Sequence, residues 1–449
     1  MNWHKPACLS YAALRGYRYP ALLKQYLREH ERGAGYDTAK RELAALLRHC
    51  RQSVPYYAEP LRQRGDVRPE ETDPVECLSR LPVLTKETIR ANFAQLQSAD
   101  LGRRRWSYNT SGGSTGEPVR LIQDRGYEDR IKAIALLGHW LVGADVGEPI
   151  VRLWGSERDL EPGNRSAKAR FFLWLTNNTY VNAFRLTPQR LRECVDTLNR
   201  VRPALILAYA QIAYELARFV EREKLHLMPQ HVIVTSAGTL YPFMREKIAQ
   251  VFGCRLYNLY GSREVSLIGL EVPGVNGLWV PPWGNFVEIL DDAGHPVPPG
   301  EEGNIVVTCL TNYAMPLVRY HIGDRGALAA NIQPANGRPG GQVLKYVSGR
   351  SVDVFRTRDQ KLVDGEYFTH LLYFRPWVGK FQVVQKAYEH VQFRIVKTNG
   401  GPTPAELDEI AAKSRLVMGD NCRVDFEFPG ELPPHPAGKY RYTISEIAA

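Results

Sequence analysis

The chain has 449 residues, 44% hydrophobic and 24% charged, with a formal net charge of +10. This is a globular composition, long enough for two or three cores, and it excludes disordered and collagen-like chains. The seven cysteines, Cys8, Cys50, Cys77, Cys194, Cys254, Cys309 and Cys422, are odd in number and lack a C-x-x-C pair. A disulfide framework or zinc cluster is therefore not expected, and a reducing cytoplasm is the expected location.

The first residues are polar and basic, without the apolar core of a signal peptide. No apolar run approaches the roughly 20 residues of a membrane span. The two nearest, Ile131 to Val142 and Ala204 to Val220, are interrupted by Lys132 and His139, and by Gln211 and Glu215; they read as buried amphipathic helices. The positive balance suits a polyphosphate, an acidic glycan or an anionic lipid, or simply a solvated surface. "RRRW", Arg103 to Trp106, is too short and too poor in interleaved aromatics to indicate nucleic acid.

Helical patterns with Pro-marked breaks fill the chain up to about Asp100; "AKRELAALLRHCRQ" repeats its apolar positions every three or four residues. "LPVLTKETIRANF" predicts a loop entering a helix, with Thr85 as N-cap. Next comes "YNTSGGSTGEPVRLIQD", Tyr108 to Asp124, in which glycines and hydroxyls crowd between apolar flanks. Backbone N–H groups in such a loop turn toward one centre and grip an anion. The spacing of the ordinary nucleotide loop is absent, since Glu117 and Pro118 stand where lysine and a hydroxyl are wanted. "PVRLIQD" alternates as a strand, and a helix is expected only from near Tyr127. Alone, the loop reads as a polar hairpin turn.

From Ile150 to about Leu270, "PIVRLWG", "ALILAYA", "HVIVTSAG" and "CRLYNLYG" read as strands between helices such as "TPQRLRECVDTLNR". That alternation predicts an α/β layer of largely parallel strands. "RFFLWL", Arg170 to Leu175, reads as core or pocket wall rather than as a membrane-facing patch. Cys254 and Cys309, within apolar strands, are expected as buried packing residues. "GNFVEILDDAGHPVPPGEEGNIVVTCL" changes register to antiparallel structure with a D-D-A-G turn. The tail reads as a strand pair, a capped helix "TPAELDEIAAKSRLVMG" and a further strand. It forms a compact α+β unit starting near Gly349.

Four further stretches carry chemistry. "NLYGSREVS" places Glu264 just past a strand end, a common ligand position in α/β sheets. "RYHIGDRG" puts Asp324 in an expected Gly turn, where a carboxylate accepts two hydroxyl hydrogen bonds. "SGRSVDVF" presents Arg350, and "PAGKYRY" carries Lys439 near the C-terminus.

In this order the five motifs resemble the acyl-adenylate-forming (AMP-binding) superfamily over nearly the whole chain. "TSGGSTGEP", "YGSRE" and "RYHIGD" look most like its phenylacetate–CoA ligase group, especially the branch associated with capsular polysaccharide biosynthesis. The resemblance implies a layered α/β adenylation domain with a small barrel-like β part, residues 1–348. A small mobile α+β domain, 349–449, would follow. It implies ATP and Mg²⁺. Ser111, Gly113, Ser114, Thr115 and Gly116 would wrap the β- and γ-phosphates. Tyr260 would pack on adenine, and Asn258, Gly261 and Ser262 would line the nucleotide and carboxylate. Gly238 would border the adenine or acyl pocket. Glu264 would hold the metal, Asp324 the ribose, and Arg350 the ribose–phosphate region. Lys439 would bridge substrate carboxylate and α-phosphate after a domain rotation. Arg263 would lie beside the carboxylate or α-phosphate, and Trp154, Tyr209, Ser236 and Ala237 would wall the acyl pocket.

Departures from the family pattern are Gly112, Glu117, Arg263, Gly238 and Val352, the last at the usual polar hinge. The cysteine–histidine metal site of some relatives is missing from "LEVPGVNGLWV", so no zinc is expected. The expected reaction is activation of a carboxylic acid to an acyl-adenylate, followed by transfer to coenzyme A. Direct transfer to an amine is the alternative acceptor chemistry. A non-catalytic nucleotide- or acyl-binding protein is the rival from another class. A homodimer remains open.

Overall fold

The computed structural model describes residues 2–63, 72–110, 119–154, 167–182, 188–238, 240–333, 339–350, 354–359, 362–373, 375, 377–398, 400–432 and 443–447. Six helices open the chain: α1 (His4–Leu14), α2 (Tyr19–Glu31), α3 (Tyr36–Ser53), α4 (Pro55–Gln63), α5 (Pro74–Ser79) and α6 (Lys86–Ala91). The three- and four-residue spacing in α3 is realised as one buried face: Ala39, Leu43, Leu46, Leu47 and Cys50. Each such leucine contributes about 1.5–3 kcal/mol by leaving water. Thr85 caps α6 by accepting the Thr88 N–H.

The strands β1 (Trp106–Thr110) and β2 (Arg120–Asp124) form an antiparallel hairpin with Thr110 opposite Arg120. Asp124 closes it and caps α7 (Arg125–Leu141), accepting the Tyr127 N–H at 2.7 Å. Arg104 holds the same carboxylate at 2.7 Å. Both ends of the hairpin loop are thus fixed, although the loop residues Ser111, Gly113, Ser114, Thr115 and Gly116 lie outside the described residues.

Next come β3 (Ile150–Trp154), α8 (Ala167–Leu175), β4 (Asn178–Asn182), α9 (Pro188–Val201), β5 (Leu205–Tyr209), α10 (Ala210–Arg222), β6 (Val232–Ser236), α11 (Pro242–Phe252) and β7 (Arg255–Ser262). Every strand pairing from β4 through β3, β5 and β6 to β7 is parallel. Helices cover both faces of such a sheet, which is why Leu205 to Ala208 run as four buried apolar residues. β8 (Ser266–Glu271), β9 (Leu278–Trp279), β10 (Asn285–Leu290), β11 (Gly303–Cys309), β12 (Tyr320–Leu328) and β13 (Val343–Arg350) then extend the sheet antiparallel. Among the described residues this makes one eleven-stranded sheet, ordered β10-β11-β12-β13-β9-β8-β7-β6-β5-β3-β4.

The last part contains β14 (Val354–Arg356), β15 (Leu362–Asp364), α12 (Glu366–Tyr373), β16 (Val378–Ala387), β17 (His390–Lys397), α13 (Pro404–Met418), β18 (Arg423–Glu427) and β19 (Thr443–Ser445). Its four-stranded sheet is ordered β18-β17-β16-β19. α13 starts with a reciprocal cap between Thr403 and Glu406. The α+β tail anticipated from the sequence is therefore present. It is docked on the parallel half: Phe355, Phe368 and Phe393 share a core with Phe219 and Phe252. The chain is a mixed α/β molecule with a distinct C-terminal domain.

Several local expectations need correction. Asp324 sits within β12, not in a turn; the turn-like feature is Gly323 alone, at φ +92°. "RFFLWL" is core only at Leu175, which is buried; Phe171, Phe172 and Trp174 are 46%, 42% and 56% exposed. These residues sit beside α1, with Trp174 5.4 Å from Trp3 and Phe171 5.9 Å from Tyr11. Cys309 is buried as expected, whereas Cys254 is only partly so.

Candidate functional site

β7 changes partners halfway along. Its first half, Arg255 to Asn258, pairs parallel with β6; its second half, Leu259 to Ser262, pairs antiparallel with β8. At that switch β6 stops, and its continuation leaves the sheet through Ala237 and Gly238, both at positive φ (51° and 136°). A crevice opens where a sheet changes direction in this way. The motif "NLYGSRE" lies along its edge.

A cavity of about 420 Å³ occupies the crevice and is lined by Gly238, Asn258, Tyr260, Gly261, Ser262, Arg263, Glu264 and Asp324. With Ala237, nine residues nominated from the sequence thus meet in one place. Gly261 has a structural reason to be glycine: a Cβ there would come within 2.5 Å of the Ser266 carbonyl oxygen across the hairpin. The Tyr260 hydroxyl donates to Asp324 Oδ2 at 2.6 Å. Asp324 is also opposite Arg350 in the β12–β13 register. Arg263 is exposed at the mouth, and its carbonyl oxygen accepts from Gln123 at 3.2 Å and Asn109 at 3.4 Å. Those bonds tie the hairpin that carries the Gly/Ser/Thr loop to the cavity rim.

Glu264 is 7% exposed, and the Tyr320 hydroxyl donates to its Oε1 at 3.5 Å. No ion pair to Glu264 is formed among the described residues. A carboxylate so placed fits a hard cation such as Mg²⁺, which prefers one or two carboxylates plus phosphate oxygens. No cluster of three or more metal-ligating side chains is found among the described residues.

The same cavity wall contains Lys86, Arg245, Glu271 and Lys345, which sequence reasoning missed. Arg245 donates twice to Glu271, at 2.7 and 2.9 Å, and Glu271 Oε2 accepts the Asn258 N–H at 2.8 Å. This fork holds the start of the motif rigid. Lys86 had one available signal, its place at the first helical position after the Thr85 cap.

A second cavity, about 460 Å³, adjoins the first. Ala237, Leu259, Gly261, Ser262 and Arg263 line both. Trp154, Tyr209, Ser236 and Ala237, nominated as acyl-pocket residues, all line this second space. The Trp154 and Tyr209 rings lie 4.4 Å apart. Lys439 lies outside the described residues, as does Val352.

Residues 355–446 match the family model of the CapK C-terminal domain. Protein CapK of Staphylococcus aureus is 22% identical over 427 residues, spanning 92% of this chain and 89% of that protein. Phenylacetate-coenzyme A ligase of Pseudomonas putida is 22% identical over 401 residues, spanning 86% and 88%. Among solved structures, 2-hydroxyisobutyryl-CoA ligase in the postadenylation state aligns with a TM-score of 0.60 at 19% identity, covering 91% of this chain and 89% of that one. The chain is thus similar to protein CapK and to phenylacetate-coenzyme A ligases over most of its length, shares the fold of 2-hydroxyisobutyryl-CoA ligase, and carries a CapK C-terminal domain over residues 355–446.

Proposed function

We propose that the chain is an ATP-dependent ligase that converts a carboxylic acid to an acyl-adenylate and then passes the acyl group to coenzyme A. The observation that carries this reading is the pair of adjoining cavities with one common wall. ATP would occupy the first and the acid the second, so that carboxylate and α-phosphate meet at Gly261, Ser262 and Arg263. A carboxylate oxygen attacks the α-phosphorus, the bond to the β-phosphate breaks, and pyrophosphate leaves. A thiolate then attacks the acyl carbonyl and AMP departs.

The residues divide this work. Tyr260 and Asp324 would hold adenine and ribose, and the loop from Ser111 to Gly116 the outer phosphates. Glu264 would hold Mg²⁺, which supplies charge stabilisation to the phosphates when bound. Arg263 and Lys439 would offset repulsion between the two reacting anions. A division near residue 349, with the tail presenting Lys439, belongs to the same proposal.

The test is pyrophosphate release from ATP across a panel of aryl, fatty and amino acids, with and without coenzyme A. Acid-dependent release with product thioester supports the reading; an amine requirement in place of the thiol would move the acceptor to an amine. Glu264→Gln should slow release by about a hundredfold or more and raise the Mg²⁺ requirement, since such charges are worth several kcal/mol. Overlapping Mg²⁺ titrations of the folded variant and parent would remove Glu264 from that role.

A further inference from the structure

The second cavity is not the simple apolar slot that an aryl or alkyl chain requires. Along α7, Lys132 and His139 are two turns apart on one face and both line it; Arg152 reaches it from β3. None of the three lines the first cavity. The Lys132 and Arg152 charges are therefore set apart from the first cavity, where the nucleotide would lie. Among the described residues, no aspartate or glutamate lines the second cavity. Among the described residues, no carboxylate hydrogen-bonds or pairs with Lys132 or Arg152. Arg152 Nε donates to Asn178 Oδ1 at 3.1 Å, and its guanidinium lies 5.6 Å from the Tyr180 ring.

An enclosed cation without a counter-charge is costly, as is a buried polar atom without a partner. His139 Nδ1 is such an atom, buried and unbonded. We propose that the acid taken by this cavity carries a second carboxylate at the end remote from the reacting one. That group would be received by Lys132, Arg152 and His139. The proposal rests on the adenylation reading above and names its substrate class: a dicarboxylic acid, with a body that fits against Trp154 and Tyr209.

The electrostatics agree with that occupant. Burial, followed by the nearby Arg152 charge, lowers the Lys132 pKa from its ordinary value. Burial and the same neighbours push His139 down to about 3, leaving it neutral near pH 7. An anion between them reverses the repulsive part of both effects and supplies the acceptor that each lacks among the described residues. Arg is suited to a carboxylate because it offers two parallel donors.

The test is calorimetric binding to the full chain without ATP, using matched acids: phenylacetate against 4-carboxyphenylacetate, and hexanoate against adipate. In at least one pair the diacid should bind about tenfold tighter or more, the value of roughly one charge-assisted hydrogen bond. Lys132→Met should bring that ratio close to one, while Lys132→Arg keeps most of it. Thermal melts report whether the variants fold. Tighter binding of the monoacid in both pairs, no binding by either diacid, or a ratio untouched in folded Lys132→Met overturns the proposal. Pyrophosphate release with the same acids separates the two readings. Release with monoacids alone ends the diacid inference and leaves the ligase. Diacid binding without any release ends the ligase and leaves the pocket.

Discussion

Tyr260 and Asp324 are 64 positions apart, yet their side chains share a 2.6 Å hydrogen bond inside the first cavity. The bond fixes the carboxylate on β12 relative to the motif on β7. If Asp324 receives ribose hydroxyls, orienting it matters more for nucleotide binding than for the chemical step. Removing the hydroxyl in Tyr260→Phe should cost about 1 kcal/mol, or roughly fivefold in the KM for ATP, with kcat much less affected. A lowered melting temperature with an unchanged KM would make the contact purely structural. The residue scale is also where sequence was most informative. Asn258, Tyr260, Gly261, Ser262, Arg263 and Glu264 fall in one short stretch of β7 and the turn after it, so a linear motif supplies a continuous part of the first cavity's wall. Arg245 and Glu271 escaped because their pairing joins α11 to β8, a contact that no local spacing encodes.

At the scale of elements, α7 shows why part of the site was hidden. Lys132 and His139 read in sequence as interruptions of an apolar helix, and so they are, on the face turned to the second cavity. Only the positions of β3, β5 and β6 opposite that face reveal a space there. The alternation of strands and helices was legible because a parallel sheet covered on both faces demands continuous apolar runs. The exposed aromatics of α8 were misread since hydrophobicity alone does not say which elements remain to cover a helix at the sheet edge. Between α10 and α13 lies an ion network: Lys413 pairs with Glu215 at 2.5 Å and Glu409 at 3.2 Å. Arg218 and Arg375 hold Glu409 from either side, at 3.4 and 2.9 Å. Lys413 is 6% exposed, so this lysine is sealed into the contact between main body and tail. Lys413→Met leaves Glu215 and Glu409 facing each other, and should raise amide exchange in α10 and α13 together. Unchanged exchange in both helices would contradict a docking role. Burial alone would raise the Glu409 pKa, but Lys413 and Arg375 outweigh it and hold it down to about 2. A depressed folded value stabilises docking above the ordinary carboxylate range, near pH 4.5. That stabilisation should fade as pH falls from there toward about 2, a direction that exchange at stepped pH can check.

For the whole molecule, the account joins a two-cavity body to a tail docked on it through a shared apolar core and an ion network. Lys439 belongs to that tail by sequence, far from every ATP contact proposed on the body. If the tail brings it in only for adenylation, Lys439→Ala should abolish acid-dependent pyrophosphate release yet leave consumption of preformed acyl-adenylate within about threefold, because the compact ammonium serves the meeting of two anions. Equal loss of both half-reactions in a well-folded variant would contradict a moving tail. The central claim is simpler: the shared wall is where a carboxylate meets the α-phosphate of ATP. Phosphorus NMR of the chain with ATP, Mg²⁺ and the acid panel tests it most directly. The account predicts AMP and pyrophosphate in equal amounts, only when an accepted acid is present. Hydrolysis to ADP and phosphate, or no acid-dependent cleavage with any member of the panel, would contradict it.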